Sequence, residues 1–160
     1  MIALGPASER VAAALRAAGI AATIREFPQG TRTAQDAAAA IGTSVAKIVK
    51  SLVFLADGRG VLVLASGANR VDPGRVARAL GAARVERADA DRVRALTGFA
   101  IGGVPPLGHA TPLEVLIDED LLAYDVVYAA AGTPTAVFAV APADLVRATG
   151  GRVVAVAQPR

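Results

Sequence analysis

Residues 51–66 read Ser51-Leu52-Val53-Phe54-Leu55-Ala56-Asp57-Gly58-Arg59-Gly60-Val61-Leu62-Val63-Leu64-Ala65-Ser66, and the fold class turns on them. Two β-rich runs, 51–56 and 61–66, flank an Asp-Gly step, and Asp-Gly supplies the positive φ that tight hairpin turns require. The stretch predicts two neighbouring antiparallel strands.

Outward from this hairpin, helical and strand patterns alternate irregularly. Ser8 is expected to cap a helix with Val11, Leu15 and Ala18 on one face and Gly19 at its end. Residues 20–27 read as a strand before the Pro28-Gln29-Gly30 turn. Thr33-x-x-Asp36 reads as a capping box for a helix closed by Gly42, and a shorter helical turn covers 44–48. On the other side, Asp72 followed by Pro73 opens a helix that runs through Leu80 and stops at Gly81. Another helix is expected over 89–96. Residues 113–117, 126–130 and 135–140 read as strands, 142–149 as a helix ended by Gly150-Gly151, and 153–156 as an edge strand. Hairpin-linked strands with interspersed helices predict an α+β domain around a curved, mixed, largely antiparallel sheet. A doubly wound fold would show a more regular strand–helix alternation.

Length and composition bound the function. With 160 residues the chain makes one domain, read here as 1–160, and a chain of this size buries roughly 70% of its unfolded surface without a metal or disulfide staple. Cysteine is absent, which removes disulfides, thiolate catalysis and Cys-ligated metals together. Seventeen cationic against fourteen acidic side chains leave +3, a mildly basic balance compatible with nucleic acid. Only 4% of residues are aromatic, so few side chains are available for base stacking. No apolar run approaches the ~18 residues of a membrane helix. The opening Met1-Ile2-Ala3-Leu4-Gly5-Pro6 has no basic region and breaks at Pro6, unlike a secretory leader. A cytoplasmic protein is expected, without membrane partners, as a monomer or weak homodimer.

Familiar catalytic signatures are missing: there is no G-x-S-x-G elbow, no Walker A loop and no H-E-x-x-H, and His109 is the single histidine. Three segments remain. Four glycines and two prolines crowd into 98–108, ahead of His109; such a loop either presents rigid N–H groups to an oxyanion or carboxylate or is an ordinary ordered connection. Lys47 and Lys50 are the only lysines in a chain that otherwise uses arginine. Lys50 stands at the mouth of a buried strand, either solvated or reaching into a cleft. Phe27 is either a core aromatic or the wall of a pocket.

Together these segments resemble the YbaK family of free-standing aminoacyl-tRNA deacylases, relatives of the editing domain inserted in bacterial prolyl-tRNA synthetase. The resemblance spans roughly residues 20–157. It rests on Phe27…Thr33-Ala34…Ala38, Lys50-Ser51-Leu52-Val53, Gly98-x-x-x-Gly102-Gly103-x-Pro105-Pro106-x-Gly108, and Ala131-Gly132…Pro142-x-Asp144-Leu145. It implies hydrolysis of the ester of a wrongly attached amino acid, with no metal or cofactor. The partners it implies are the acceptor end of misacylated tRNA and an aminoacyl-tRNA synthetase. The family's essential lysine maps onto Lys50, facing the terminal adenosine or its phosphate, and its substrate-loop glycines onto Gly102 and Gly103 as oxyanion donors. Phe27, Ile48, Val104, Pro105, Pro106, His109 and the small residues of 62–65 are the expected pocket. An acidic residue that some members carry near Val137 has no equivalent here.

The implied target is a small non-cognate amino acid such as cysteine or alanine on tRNA-Pro. The attacking water would be oriented by the substrate's own free hydroxyl, with His109 as a second candidate. Two other readings fit the same scaffold: a non-catalytic module that binds aminoacyl-tRNA or an amino acid, and a different small-ester hydrolase.

Overall fold

The Asp57-Gly58 step turns the chain as expected. Asp57 has φ 49° and Gly58 φ 86°, both in the left-handed region a two-residue hairpin loop needs. The Asp57 carboxylate also accepts from the N–H groups of Ala83 (3.1 Å) and Arg84 (2.8 Å), tying the turn to the segment beside it.

The computed structural model describes residues 4–159. Residues 1–3, the start of the stretch read above as unlike a leader, and residue 160 lie outside the described residues. In chain order the elements are α1 (Pro6–Ala17), β1 (Ile24–Glu26), α2 (Ala34–Ile41), a 3-10 turn (Val45–Lys47), β2 (Val49–Ala56), β3 (Arg59–Ser66), α3 (Pro73–Leu80), β4 (Val85–Arg87), α4 (Ala90–Thr97), β5 (Glu114–Asp118), a 3-10 segment (Glu119–Ala123), β6 (Val127–Ala130), β7 (Ala136–Val140), α5 (Pro142–Thr149) and β8 (Arg152–Val154). No helix among the described residues is long and apolar enough to cross a membrane.

The α+β class is the expected one, but the strands form two sheets. The larger has the order β4-β2-β3-β5-β8, antiparallel from β4 to β3 and parallel from β3 to β8. The smaller, β1-β7-β6, is antiparallel throughout. A single parallel bridge between Ile48 and Tyr128 links them at the start of β2.

Strand β3 lies at the centre, and its alternate residues feed two cores. Leu62 and Leu64 join Val11, Leu15, Phe99 and Phe138 in one; Val61, Val63 and Ala65 join Phe54, Val76 and Leu116 in the other.

Local chemistry fixes the helix ends. Thr33, Asp72 and Asp89 accept from the N–H groups of Asp36, Gly74 and Arg92, capping α2, α3 and α4. Ser8 departs from expectation. The cap of α1 is Gly5, and Ser8 is buried one turn inside, where its hydroxyl donates to Ala131 O at 2.7 Å. β1 is shorter than the expected 20–27, and β8 ends before the expected 156. β4 and the 3-10 segment at Glu119–Ala123 are additions.

Candidate functional site

Strand β2 is the partition between two clefts. Its side chains alternate between faces, so Val49, Ser51 and Val53 line the first cleft while Phe54 lines the second; Lys50 and Leu52, together with Arg87 at the end of β4, line both. β4 pairs with β2 only over 54–56, which leaves 50–52 open where the clefts meet.

The first cleft has a volume of about 240 Å³. Val53, Val93, Val104, Ala129 and Val137 give it apolar walls, and Arg32, Lys50 and Arg87 supply positive charge. Thr31, Thr33, Ser51 and Tyr128 add neutral polar groups, and no carboxylate or histidine lines it among the described residues. The Ser51 hydroxyl is buried and has no partner among them.

Lys50 is held in place by a chain of polar contacts. Its ammonium donates to the backbone carbonyl of Asn69. The Asn69 amide in turn donates to Asp118 Oδ2 (2.8 Å) and Asp120 Oδ2 (2.7 Å). Asp118 is 1% exposed, and its carboxylate also accepts from the N–H groups of Ser66 (3.0 Å) and Asp120 (3.0 Å). A buried acid on β5 thus fixes the turn after β3, and that turn fixes the lysine. Burial pushes the Lys50 ammonium below its ordinary range. Arg87 and Arg70 push it the same way by like charge, and Asp118 opposes them.

Across the cleft stands the glycine loop. Gly102 has φ 93° and lines the cleft, and no described residue accepts from its N–H. The neighbouring Gly103 N–H donates to Ala100 O at 3.0 Å, closing a turn. A Cβ on Gly103 would meet Gly132 O at 2.9 Å, so this glycine allows the loop to pack against the 132–133 turn.

A model of the aminoacyl-tRNA editing domain matches residues 28–148, well over half of the chain and including both the lysine strand and the glycine loop. The chain belongs to the aminoacyl-tRNA editing domain family. The uncharacterized protein YwhH of Bacillus subtilis is 31% identical over 123 residues, which is 76% of this chain and 78% of YwhH. The proline–tRNA ligase of Bacillus licheniformis is 34% identical over 105 residues, 63% of this chain but 18% of the ligase, so the chain corresponds to a small part of that synthetase. A proposed trans-editing enzyme for prolyl-tRNA synthetase superposes with a TM-score of 0.93 at 46% identity, over 98% of this chain and 100% of the other.

Within this editing domain the expected site residues divide. Lys50, Gly102 and Val104 come together in the first cleft. Gly103 does not line it, and its N–H is engaged by Ala100 O, so of the two glycines expected as donors only Gly102 lines the cleft with an unengaged N–H. Ile48 is buried behind the cleft against Ala37, Ala38 and Tyr128. Phe27 lines a separate depression with Arg25, whose guanidinium lies 5.0 Å from its ring centroid, because β1 sits on the far edge of the smaller sheet. Pro105 is buried, and Pro106 and His109 border another depression beside α5. The His109 Nε2 is 2.7 Å from Pro105 O. Burial lowers its pKa, and the bond to Pro105 opposes that. Residues 62–65 are fully buried in β3 and line neither cleft.

Arg87, Arg32, Tyr128, Asn69 and Asp118 carry no sequence signal that marks them as site residues. Of these only Arg32 falls inside a stretch singled out above, the one that runs from Phe27 through Thr31 and Thr33 to Ala38.

Proposed function

We propose that the chain, as a single domain, hydrolyses the ester bond of misacylated tRNA and removes a small non-cognate amino acid such as alanine or cysteine from tRNA-Pro. The observation that carries this reading is the division of the first cleft into a cationic side, with Lys50, Arg32 and Arg87, and apolar walls enclosing about 240 Å³. An aminoacylated 3′ end is divided in the same way, with a phosphate beside the terminal ribose and a side chain beyond the ester. Membership in the editing family supports the reaction class. The likeness to proline–tRNA ligases and to a proposed trans-editing enzyme supports tRNA-Pro as substrate and a synthetase as companion.

In this reading a water oxygen attacks the ester carbonyl carbon, and negative charge builds on the carbonyl oxygen. The bond to the ribose oxygen then breaks, and that oxygen leaves with the proton given up by the attacking water. The unengaged Gly102 N–H is the donor for the developing oxyanion; one such donor is worth ~10²–10³ in rate. Lys50, held by Asn69, positions the terminal nucleotide through its phosphate. The Ser51 hydroxyl is the buried polar group free to meet the substrate. With no histidine or carboxylate lining the cleft among the described residues, the substrate's own ribose hydroxyl is the group assigned to orient the water. Walls of Val53, Val104 and Val137 pass a methyl or thiol-bearing side chain and reject a benzyl group by clash, the direction in which a pocket discriminates most readily.

The test is release of alanine from alanyl-tRNA-Pro by Lys50→Ala and Lys47→Ala proteins. Lys47 faces the Tyr124 ring, 5.8 Å from its centroid, and does not line the cleft. Loss of hydrolysis in the first variant and its retention in the second are expected. Wild-type rates in both would remove Lys50 from the site.

A further inference from the structure

The second cleft, on the other face of β2, has no role in the chemistry above. Its volume is about 430 Å³, larger than the first, and Leu52, Phe54 and Val71 give it an apolar floor. Three cations surround that floor: Lys50 and Arg87, which it shares with the first cleft, and Arg70, which belongs to it alone.

No carboxylate lines it among the described residues. The nearby Asp72 is turned to the Gly74 N–H as the cap of α3, and one carboxylate oxygen of each of Asp118 and Asp120 accepts from Asn69. The wall is built before any ligand arrives. The Arg87 guanidinium lies over the Phe54 ring, 5.6 Å from its centroid. The Arg70 carbonyl accepts from Gln158 N–H at 2.7 Å, and Val71 bridges Ala157. Arg87 and Arg70 are close enough to press the Lys50 ammonium downward by like charge, so an anion between them would relieve repulsion already present.

We propose that this second cleft is a phosphodiester subsite that takes the nucleotide preceding the terminal adenosine of an aminoacylated RNA end, with Arg70 and Arg87 on the phosphate and the apolar floor under the base. The proposal rests on the deacylase reading and extends it. Continuity across Lys50 is what favours this occupant over a free phosphate: a strand whose last nucleotide occupies the first cleft passes over Lys50 directly into the second. The Phe54 ring is itself buried beneath the Arg87 guanidinium, and a planar guanidinium so backed is a group on which a single-stranded base stacks without its sequence being read.

The experiment compares two small esters. The alanyl ester of adenosine 5′-monophosphate carries only the phosphate assigned to Lys50, whereas the alanyl ester of the trinucleotide CpCpA adds one further phosphodiester, the one that the second cleft would hold. Wild-type kcat/KM is expected to favour the trinucleotide by about tenfold or more, the worth of a charge-assisted contact. Arg70→Ala should bring that ratio close to one. Arg70 is exposed, so the variant keeps its fold. Arg16→Ala, which removes an equal charge from the exposed side of α1, should retain the wild-type ratio. Binding of uncharged CpCpA should weaken with salt, and the log–log slope should be shallower in Arg70→Ala by about 0.7 for each phosphate that is no longer neutralised. Equal rates on both esters in the wild type, or an unchanged ratio in Arg70→Ala, would overturn the subsite and leave the deacylase reading standing. Hydrolysis of neither ester would overturn both.

Discussion

A Cβ placed on Gly103 would lie 2.8 Å from the Cα of Thr133. A backbone atom cannot swing aside, so Gly103→Ala must displace the glycine loop or the 132–133 turn. Overpacking of this kind costs ~1–3 kcal/mol, and each kcal/mol is about 2–4 °C of Tm in a chain of this size. At Gly102 the same methyl meets only Arg32 Cγ at 3.1 Å, on an exposed side chain that can move, although φ 93° strains an alanine. Thermal melts and single-turnover rates should therefore separate the two glycines. Gly103→Ala loses chiefly Tm, whereas Gly102→Ala loses turnover as well, even far below its midpoint. Equal turnover in Gly102→Ala and wild type would take the oxyanion away from this loop.

The lowered pKa of Lys50 sets a pH dependence whose sign is fixed by linkage. Between the folded-state value and the ordinary 10.5, the unfolded chain binds the proton that the folded chain has released. Stability attributable to Lys50 therefore rises with pH through that window and is lowest below it, where burial and the nearby arginines act on a full ammonium. Urea titrations from pH 8 to 10.5 should show this rise in the wild type and lack it in Lys50→Met. The ammonium is the form that holds a phosphate. Deacylation, corrected for spontaneous ester hydrolysis, should fall on the alkaline side with a midpoint below 10.5. An unaltered profile up to pH 10.5 would mean that the ammonium is not required.

Asp118 itself lines neither cleft, yet it should matter to both stability and rate. Its carboxylate accepts from two N–H groups and from the Asn69 amide, and Asp118→Asn puts a donor where an acceptor is needed. Buried hydrogen bonds to a charged acceptor are worth about 1.5–3 kcal/mol each. A loss of a few kcal/mol in denaturant melts is expected, with a reduced kcat because Asn69 no longer holds Lys50. Melts and rates like those of the wild type would show that the 66–69 turn stands without this acid.

Phe27 and Val104 give opposite expectations although both were candidates for the pocket. Phe27 is 7% exposed and outside the first cleft, so Phe27→Ala should cost ~3–5 kcal/mol and leave the choice of amino acid unchanged. Val104 is 4% exposed and lines the cleft, so Val104→Ala should admit larger side chains. Rates on alanyl- and phenylalanyl-tRNA for each variant decide between them. Relaxed selectivity in Phe27→Ala, and none in Val104→Ala, would invert the pocket.

What was legible in the sequence was local. The Asp57-Gly58 hairpin, the Thr33 and Asp72 caps and the glycine ends of the helices are each specified by a few adjacent residues. Lys50 stood out because arginine replaces lysine almost everywhere else. Local patterns could not say which strands belong to which sheet, since the parallel pairing of β3 with β5 joins residues about fifty apart. β4 is three residues long and largely exposed, so it carries no alternation to read, yet it brings Arg87 to the site. Phe27, Pro106 and His109 lie close in sequence to true cleft residues and were assigned with them; the sheet edge and the turn after Val104 carry them elsewhere.

The most direct measurement is a panel of purified tRNAs charged with alanine, cysteine, proline and phenylalanine, incubated with the wild-type protein and with Lys50→Ala. The account predicts that wild-type protein releases alanine or cysteine from tRNA-Pro, spares phenylalanyl-tRNA, and loses this activity in Lys50→Ala with the fold intact. Failure to hydrolyse any misacylated tRNA, or hydrolysis that is unchanged in Lys50→Ala, would contradict it.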